Sequence, residues 1–153
     1  MSKIRVIRIN YMKKREITTN SEVETRLFAK NFAKTLKGGE VILLTGELGA
    51  GKTVFVQAVC DGLGIKQKVT SPTFILMNLY RVSKHKTIKR ICHLDVYRLD
   101  DPKEFIDSGL DEYLYQKDTV CFIEWGEKIE KMLKKYIHAT ITIKGEKRKI
   151  IIK

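Results

Sequence analysis

Residues 41–64, VILLTGELGAGKTVFVQAVCDGLG, constrain this chain more than any other stretch. The apolar run VILLT shows no alternation, so it suits a strand buried on both faces, as in the interior of a parallel sheet. A turn with glycines at 46, 49 and 51 follows, and the apolar periodicity resumes at helical spacing until Gly62-Leu63-Gly64. Strand, glycine turn and helix in this order make one unit, and the spacing Gly46-x-x-x-x-Gly51-Lys52-Thr53 is that of a phosphate-binding loop. Glycine permits backbone angles at which successive amide N–H groups point inward at an anion. The free N–H groups and dipole of the helix start add to the attraction. The span Glu47, Leu48, Gly49, Ala50, Gly51, Lys52, Thr53 and Val54 is therefore expected to wrap a nucleotide. Lys52 would lie against its β- and γ-phosphates, and the Thr53 hydroxyl would hold a magnesium ion.

Around this unit the chain reads as one α/β domain over residues 1–153, with residues 1–13 as an N-terminal extension. TTNSEVETRLFAKNFAKTLKGG has a capping box at Ser21 and Glu24, an apolar face of Val23, Leu27, Phe28, Phe32 and Leu36, and a stop at Gly38-Gly39. TFILMNLYRV and TIKRICHLDVYRL, separated by the polar SKHK, predict a hairpin. DPKEFIDSGLDEYLYQ starts a helix at a proline and breaks at Gly109. TVCFIEW is a second buried strand, GEKIEKMLKKY a cationic helix, and ATITIKGEKRKIIIK a terminal hairpin turning at Lys144-Gly145. This order predicts a three-layer domain with a mixed parallel and antiparallel central sheet, its ligand at the carboxyl ends of the strands.

Composition narrows the setting. No stretch approaches the roughly 20 apolar residues of a membrane span, and the basic N-terminus MSKIRVIRINYMKKRE lacks the apolar block of a signal peptide, so a cytoplasmic location is expected. Cys60, Cys92 and Cys121 each lie in an apolar segment without C-x-x-C spacing and read as buried reduced thiols. Thirty Lys and Arg against eighteen Asp and Glu leave a charge of +12. That balance suits a polyanionic partner such as RNA and equally a lysine-rich solvated surface, because the basic residues are scattered.

Hydrolysis would need more than a phosphate cradle, and three short motifs offer it. CFIEW is an apolar strand ending in an acid, which would place Glu124 beside the magnesium or the attacking water. In HLDVYR the residues His93, Asp95 and Tyr97 alternate and so share one strand face, making Asp95 a candidate for positioning water. In SPTF, Thr73 occupies the place of a switch threonine that senses a γ-phosphate.

Taken jointly, GELGAGKT, SPTF, HLDVYRL and IEW, in this order and at these separations, resemble the TsaE family of small bacterial ATPases, over roughly residues 21–125. The resemblance implies a P-loop ATPase acting in biosynthesis of threonylcarbamoyladenosine at the tRNA position next to the anticodon, with ATP and Mg2+ as ligands. It implies that Lys52 and Thr53 serve phosphate and magnesium, that Glu124 helps bind magnesium and Asp95 serves hydrolysis, that Trp125 supports activity and that Thr73 belongs to a switch-like loop. It also implies two partners: TsaD, which transfers the threonylcarbamoyl group, and TsaB, its non-catalytic relative. Contact with tRNA through that complex stays open.

Two other readings compete. A kinase on the same loop would need an acceptor pocket and an arginine-bearing lid, for which the residues between the hairpin and CFIEW leave little room. A basic RNA-binding module would use the loop only as a turn. No N-K-x-D motif for reading guanine is present.

Overall fold

The computed structural model describes residues 14–153, so the N-terminal extension expected over residues 1–13 lies outside the described residues. Strand β1 (Arg15–Thr19) leads into helix α1 (Glu22–Ala33), then β2 (Val41–Thr45), α2 (Lys52–Gly62), β3 (Met77–Arg81), β4 (Arg90–Asp95), α3 (Lys103–Asp107), β5 (Thr119–Glu124), β6 (Ile137–Lys144) and β7 (Lys147–Ile152). The strands form one mixed sheet in the order β1-β7-β6-β2-β5-β4-β3. β6, β2, β5 and β4 run parallel at its centre, and β1, β7 and β3 add antiparallel edges.

Two apolar layers flank the sheet. Ile42, Leu44, Ile91, Phe122 and Ile141 face α1 and α2, whereas Leu43, Leu94, Cys121 and Ile123 face Phe105 of α3, Leu110 and Ile129. The three-layer mixed α/β architecture read from the sequence is thus the one observed. The hairpin of β3 and β4 is present, but β3 starts only at Met77, because residues 73–76 turn with Leu76 in the left-handed region (φ 68). The chain breaks at Gly109 (φ 72) into a 3-10 turn, Leu110–Tyr113. In the terminal hairpin Lys144 pairs with Lys147, so the turn falls one residue later than expected, at Gly145-Glu146.

Three local expectations change. The capping box forms, with Ser21 Oγ accepting from Glu24 N at 3.2 Å while Glu24 reaches back to Asn20 N at 2.7 Å. The buried stripe of α1, however, is Thr25, Ala29, Phe32 and Ala33, continued by Leu36. Val23 and Leu27 face solvent at 76% and 60% exposure. Helix α1 packs against α2, with Phe32 and Phe55 ring centroids 5.7 Å apart, and close approach of two backbones favours alanine over larger residues along the seam.

The expected cationic helix is instead two 3-10 turns, Gly126–Lys128 and Glu130–Met132. Only residues 125–136 connect the end of β5 to the start of β6, and these strands are parallel, so the link must run back along the full strand length. A 3-10 turn advances about 2.0 Å per residue against about 1.5 Å in an α-helix. Finally, Arg15–Thr19 forms a strand that the sequence pattern did not suggest, paired with β7 from Arg15↔Ile152 to Thr19↔Arg148.

Cys60, Cys92 and Cys121 are free and buried, as expected. Burial pushes the Cys60 thiol up to about 12, and a hydrogen bond with Cys92 together with burial raises Cys121, so Cys60 and Cys121 are poor nucleophiles. Among the described residues no helix is long and apolar enough to cross a membrane.

Candidate functional site

The glycine loop joins the end of β2 to α2 and needs its glycines for two distinct reasons. At Gly46 (φ 155) a Cβ would lie 2.4 Å from the Ile141 carbonyl oxygen, so the turn passes directly against β6. Gly49 (φ 80) and Gly51 (φ 108) have open space around them and are required by their left-handed backbone alone. Gly51 is the N-cap of α2 and no side chain caps it, which leaves the first amides of the helix facing the loop.

Lys52 opens α2 yet is only 5% exposed. Its Nζ donates to the carbonyls of Gly46 at 2.7 Å and Glu47 at 3.1 Å, and lies 4.5 Å from the centroid of the Trp125 ring. Burial pulls the ammonium below its ordinary value, and the nearby Glu124, Glu127, Asp95 and Glu47 offset part of that effect.

The acids come from the neighbouring strands. Asp95 ends β4, Glu124 ends β5, and the two stand side by side in register. Both are buried, at 2% and 3% exposure. Glu124 Oε1 accepts from Thr53 Oγ1 at 2.9 Å and from His93 Nε2 at 2.8 Å. Asp95 Oδ2 accepts from Thr73 Oγ1 at 2.9 Å, Asp95 Oδ1 from the Tyr97 amide at 2.9 Å, and Ser71 Oγ lies 2.6 Å from Thr73 Oγ1. Four elements distant in sequence therefore meet at the carboxyl ends of the parallel strands, where ligands of open α/β sheets bind.

A cavity of about 420 Å³ opens there. Leu48, Gly49, Gly51, Lys52, Thr53 and Val54 form one wall, and Thr73, Asp95, Glu124 and Trp125 form the other, joined by Ser71 and Tyr97. Of the sequence-derived site residues, Glu47 and Ala50 do not line it. Ala50 is buried, its amide bonded to the Glu47 carbonyl at 3.0 Å, and Glu47 contributes the carbonyl that holds Lys52. Tyr97 lies past the end of β4 rather than on its face, but lines the cavity with its ring tilted against Trp125, centroids 4.9 Å apart. Trp125 itself sits in the left-handed region (φ 59), which turns its ring back over the loop.

Two contributors escape sequence reasoning. Arg148 of β7 donates from Nε to the Ala50 carbonyl at 3.1 Å and so tethers the loop from the far hairpin. His93 was visible only as a strand-face neighbour of Asp95; its bond to Glu124 depends on strand order, which no local pattern encodes. Arg98, the arginine nearest the motifs in sequence, stacks over Phe74 at 4.5 Å. No arginine lines the cavity among the described residues.

As for a metal, Thr53 and Glu124 offer two hard oxygen donors beside the loop, and no group of three or more His, Cys, Asp or Glu residues is arranged to hold an ion among the described residues. So sparse an oxygen set fits Mg2+, which keeps several waters and completes its shell from phosphate oxygens, better than a resident ion held by protein alone.

The model of the family described as "Threonylcarbamoyl adenosine biosynthesis protein TsaE" matches residues 19–151. A Bacillus subtilis (strain 168) protein named "tRNA threonylcarbamoyladenosine biosynthesis protein TsaE" is 43% identical over 116 residues, covering 76% of this chain and 68% of the relative. A Treponema pallidum (strain Nichols) protein of the same name is 39% identical over 125 residues, covering 82% and 86%. The crystal structure of Bacillus subtilis YdiB superposes with a TM-score of 0.75 at 32% identity, over 92% of this chain and 84% of that one. The matched residues run from the last residue of β1 into β7 and include every motif that meets at the cavity; the chain belongs to the TsaE family.

Proposed function

We propose that this chain is a cytoplasmic ATPase that binds and hydrolyses Mg-ATP as the regulatory subunit of tRNA threonylcarbamoyladenosine modification, supporting turnover of a TsaB–TsaD pair. One observation carries the reading. A buried lysine held by two loop carbonyls and an aromatic face lies beside a cavity whose opposite wall bears two carboxylates.

Neutral carbonyls are weak partners for an ammonium, and phosphate oxygens outcompete them through charge-assisted hydrogen bonds. Lys52 then moves onto the β- and γ-phosphates, while the loop amides that face the cavity and the start of α2 take the remaining charge. Thr53 and Glu124 would hold Mg2+, which when bound neutralises charge on the phosphate oxygens. Asp95, fixed through both carboxylate oxygens by Thr73 and the Tyr97 amide, orients the attacking water and accepts its proton. Because Thr73 grips Asp95 from a turn between α2 and β3, the nucleotide's γ-phosphate can be sensed by the surface outside the cavity.

With no arginine in the cavity wall among the described residues, charge developing on the transferred phosphoryl group is poorly met by them. A stabilising group supplied in trans is worth about 10³–10⁵ in rate. Hydrolysis is therefore slow alone and rises on adding TsaB and TsaD, with the ATP and ADP forms binding the pair unequally. Steady-state ATPase assays with and without the pair, together with partner binding in ATP, ADP and no nucleotide, decide this. Equal rates with equal partner affinities would remove the switch, and failure to bind nucleotide in a magnesium-dependent way would remove the ATPase.

A further inference from the structure

His93 is 0% exposed, and among the described residues its one polar partner is Glu124. Burying an imidazole costs free energy unless its nitrogens are paired, and here Nδ1 has no partner among the described residues. An apolar residue would fill this place at less cost, so its one hydrogen bond must account for the histidine. A carboxylate offers only acceptors, so the bond fixes the tautomer: the proton is on Nε2, which donates.

The register explains the geometry. His93 pairs with Phe122 and Asp95 with Glu124 across β4 and β5, so the ring reaches Glu124 diagonally on one sheet face. From α2, Thr53 Oγ1 donates to the same oxygen. Both donors take Oε1, and Oε2 keeps its lone pairs for whatever enters the cavity.

We propose that His93 is a positioning residue: by holding Glu124 Oε1 from inside the sheet, it sets which carboxylate oxygen faces the nucleotide's magnesium. The inference rests on the Mg-ATP reading of this cavity. Thr53 would leave Glu124 if its oxygen turned to a bound cation, whereas His93, locked in the sheet, would stay on the carboxylate. His93 thus keeps the Glu124 rotamer through the cycle, in the manner of outer partners that orient ligands at metal sites.

The test is a magnesium titration of ATP binding by calorimetry, with His93→Leu, His93→Gln and the parent compared, and with thermal melts to establish folding. Loss of an outer partner typically weakens metal affinity about 10–100-fold. His93→Leu is expected to shift the magnesium half-saturation upward by that order while ATP affinity in EDTA stays at the parent value. His93→Gln, whose amide N–H can reach the same oxygen, recovers most of the shift. In a Glu124→Gln background His93→Leu adds nothing further, because the histidine acts only through that carboxylate. A folded His93→Leu with its magnesium requirement at the parent value would overturn the positioning role and leave the ATPase reading intact. A second shift of the same size in the Glu124→Gln background would overturn it too. If Leu fails to fold, the Gln variant must then show a shift smaller than that of Glu124→Gln; an equal shift counts against the proposal. A parent chain with no magnesium-dependent nucleotide binding would instead remove the ATPase reading, and this role with it.

Discussion

The Lys52 ammonium rests 4.5 Å from the centroid of the Trp125 ring, close enough for a cation–π contact inside a partly desolvated site. Trp125 is the sole tryptophan in the chain, so indole emission reports on the surroundings of this one ring. Drawing Lys52 onto phosphate removes a cation from the ring face. Intrinsic fluorescence should therefore change on adding Mg-ATP and stay constant in Lys52→Met, and an unchanged parent spectrum at saturating nucleotide would contradict the exchange of partners.

Burial lowers the Lys52 affinity for its proton relative to the unfolded chain, so the unfolded state binds more protons between the two values and stability rises with pH there. Below that window the charged side chain carries a constant cost, which fades as pH climbs through the lowered folded value toward that of an ordinary lysine. Lys52→Met should accordingly melt a few degrees above the parent at pH 7, with the gap closing in the alkaline range. The same variant loses ATP binding, since each charge-assisted contact is worth about 1.5–3 kcal/mol. A parent-like melting profile across pH would refute the buried-charge cost.

Asp95 and Glu124 stand side by side but make different bonds, which separates their roles. Asp95→Ala should retain nucleotide while turnover with the partners falls by roughly 10²–10⁴-fold. Glu124→Ala should lose turnover and part of the magnesium dependence of binding. Parent-rate hydrolysis by Asp95→Ala would show that its assigned role is wrong.

Gly126 follows Trp125 and is buried against the sheet, where a Cβ would lie 1.9 Å from Leu43 Cδ1. Leu43 is itself fully buried and has no room to retreat. Gly126→Ala should cost about 1–3 kcal/mol. For a domain of this size that lowers Tm by roughly 2–4 °C per kcal/mol, and a melt at the parent temperature would mean the loop shifts freely.

Arg148 ties β7 to the glycine loop through the Ala50 carbonyl, 98 residues away. Arg148→Ala should cost about 0.5–1.5 kcal/mol in stability and weaken ATP binding by loosening the loop. Calorimetry showing undiminished affinity would confine Arg148 to the hairpin.

Much of this protein is legible in its sequence because the relevant signals are local. The run VILLT, the glycine spacing and the periodicity of residues 52–62 specify a strand, a loop and a helix through backbone sterics and burial within a few neighbouring residues. That is why the α/β class, the β3–β4 and β6–β7 hairpins and the Lys52–Thr53 pair were readable, and why Asp95 and Glu124 could be singled out as acids at strand ends. What the sequence could not supply is which strands lie side by side. The order β2-β5-β4 places Asp95 beside Glu124 and brings His93 under the same carboxylate, and the order β1-β7-β6 carries Arg148 to the loop. Packing also overrode pattern where the two disagreed. The close seam between α1 and α2 buried Ala29 and Ala33 in preference to Val23 and Leu27, and the short link between parallel β5 and β6 stretched an expected helix into 3-10 turns. Local sequence determined which groups the chain carries; strand order and element spacing, set by long-range burial, decided which of them touch.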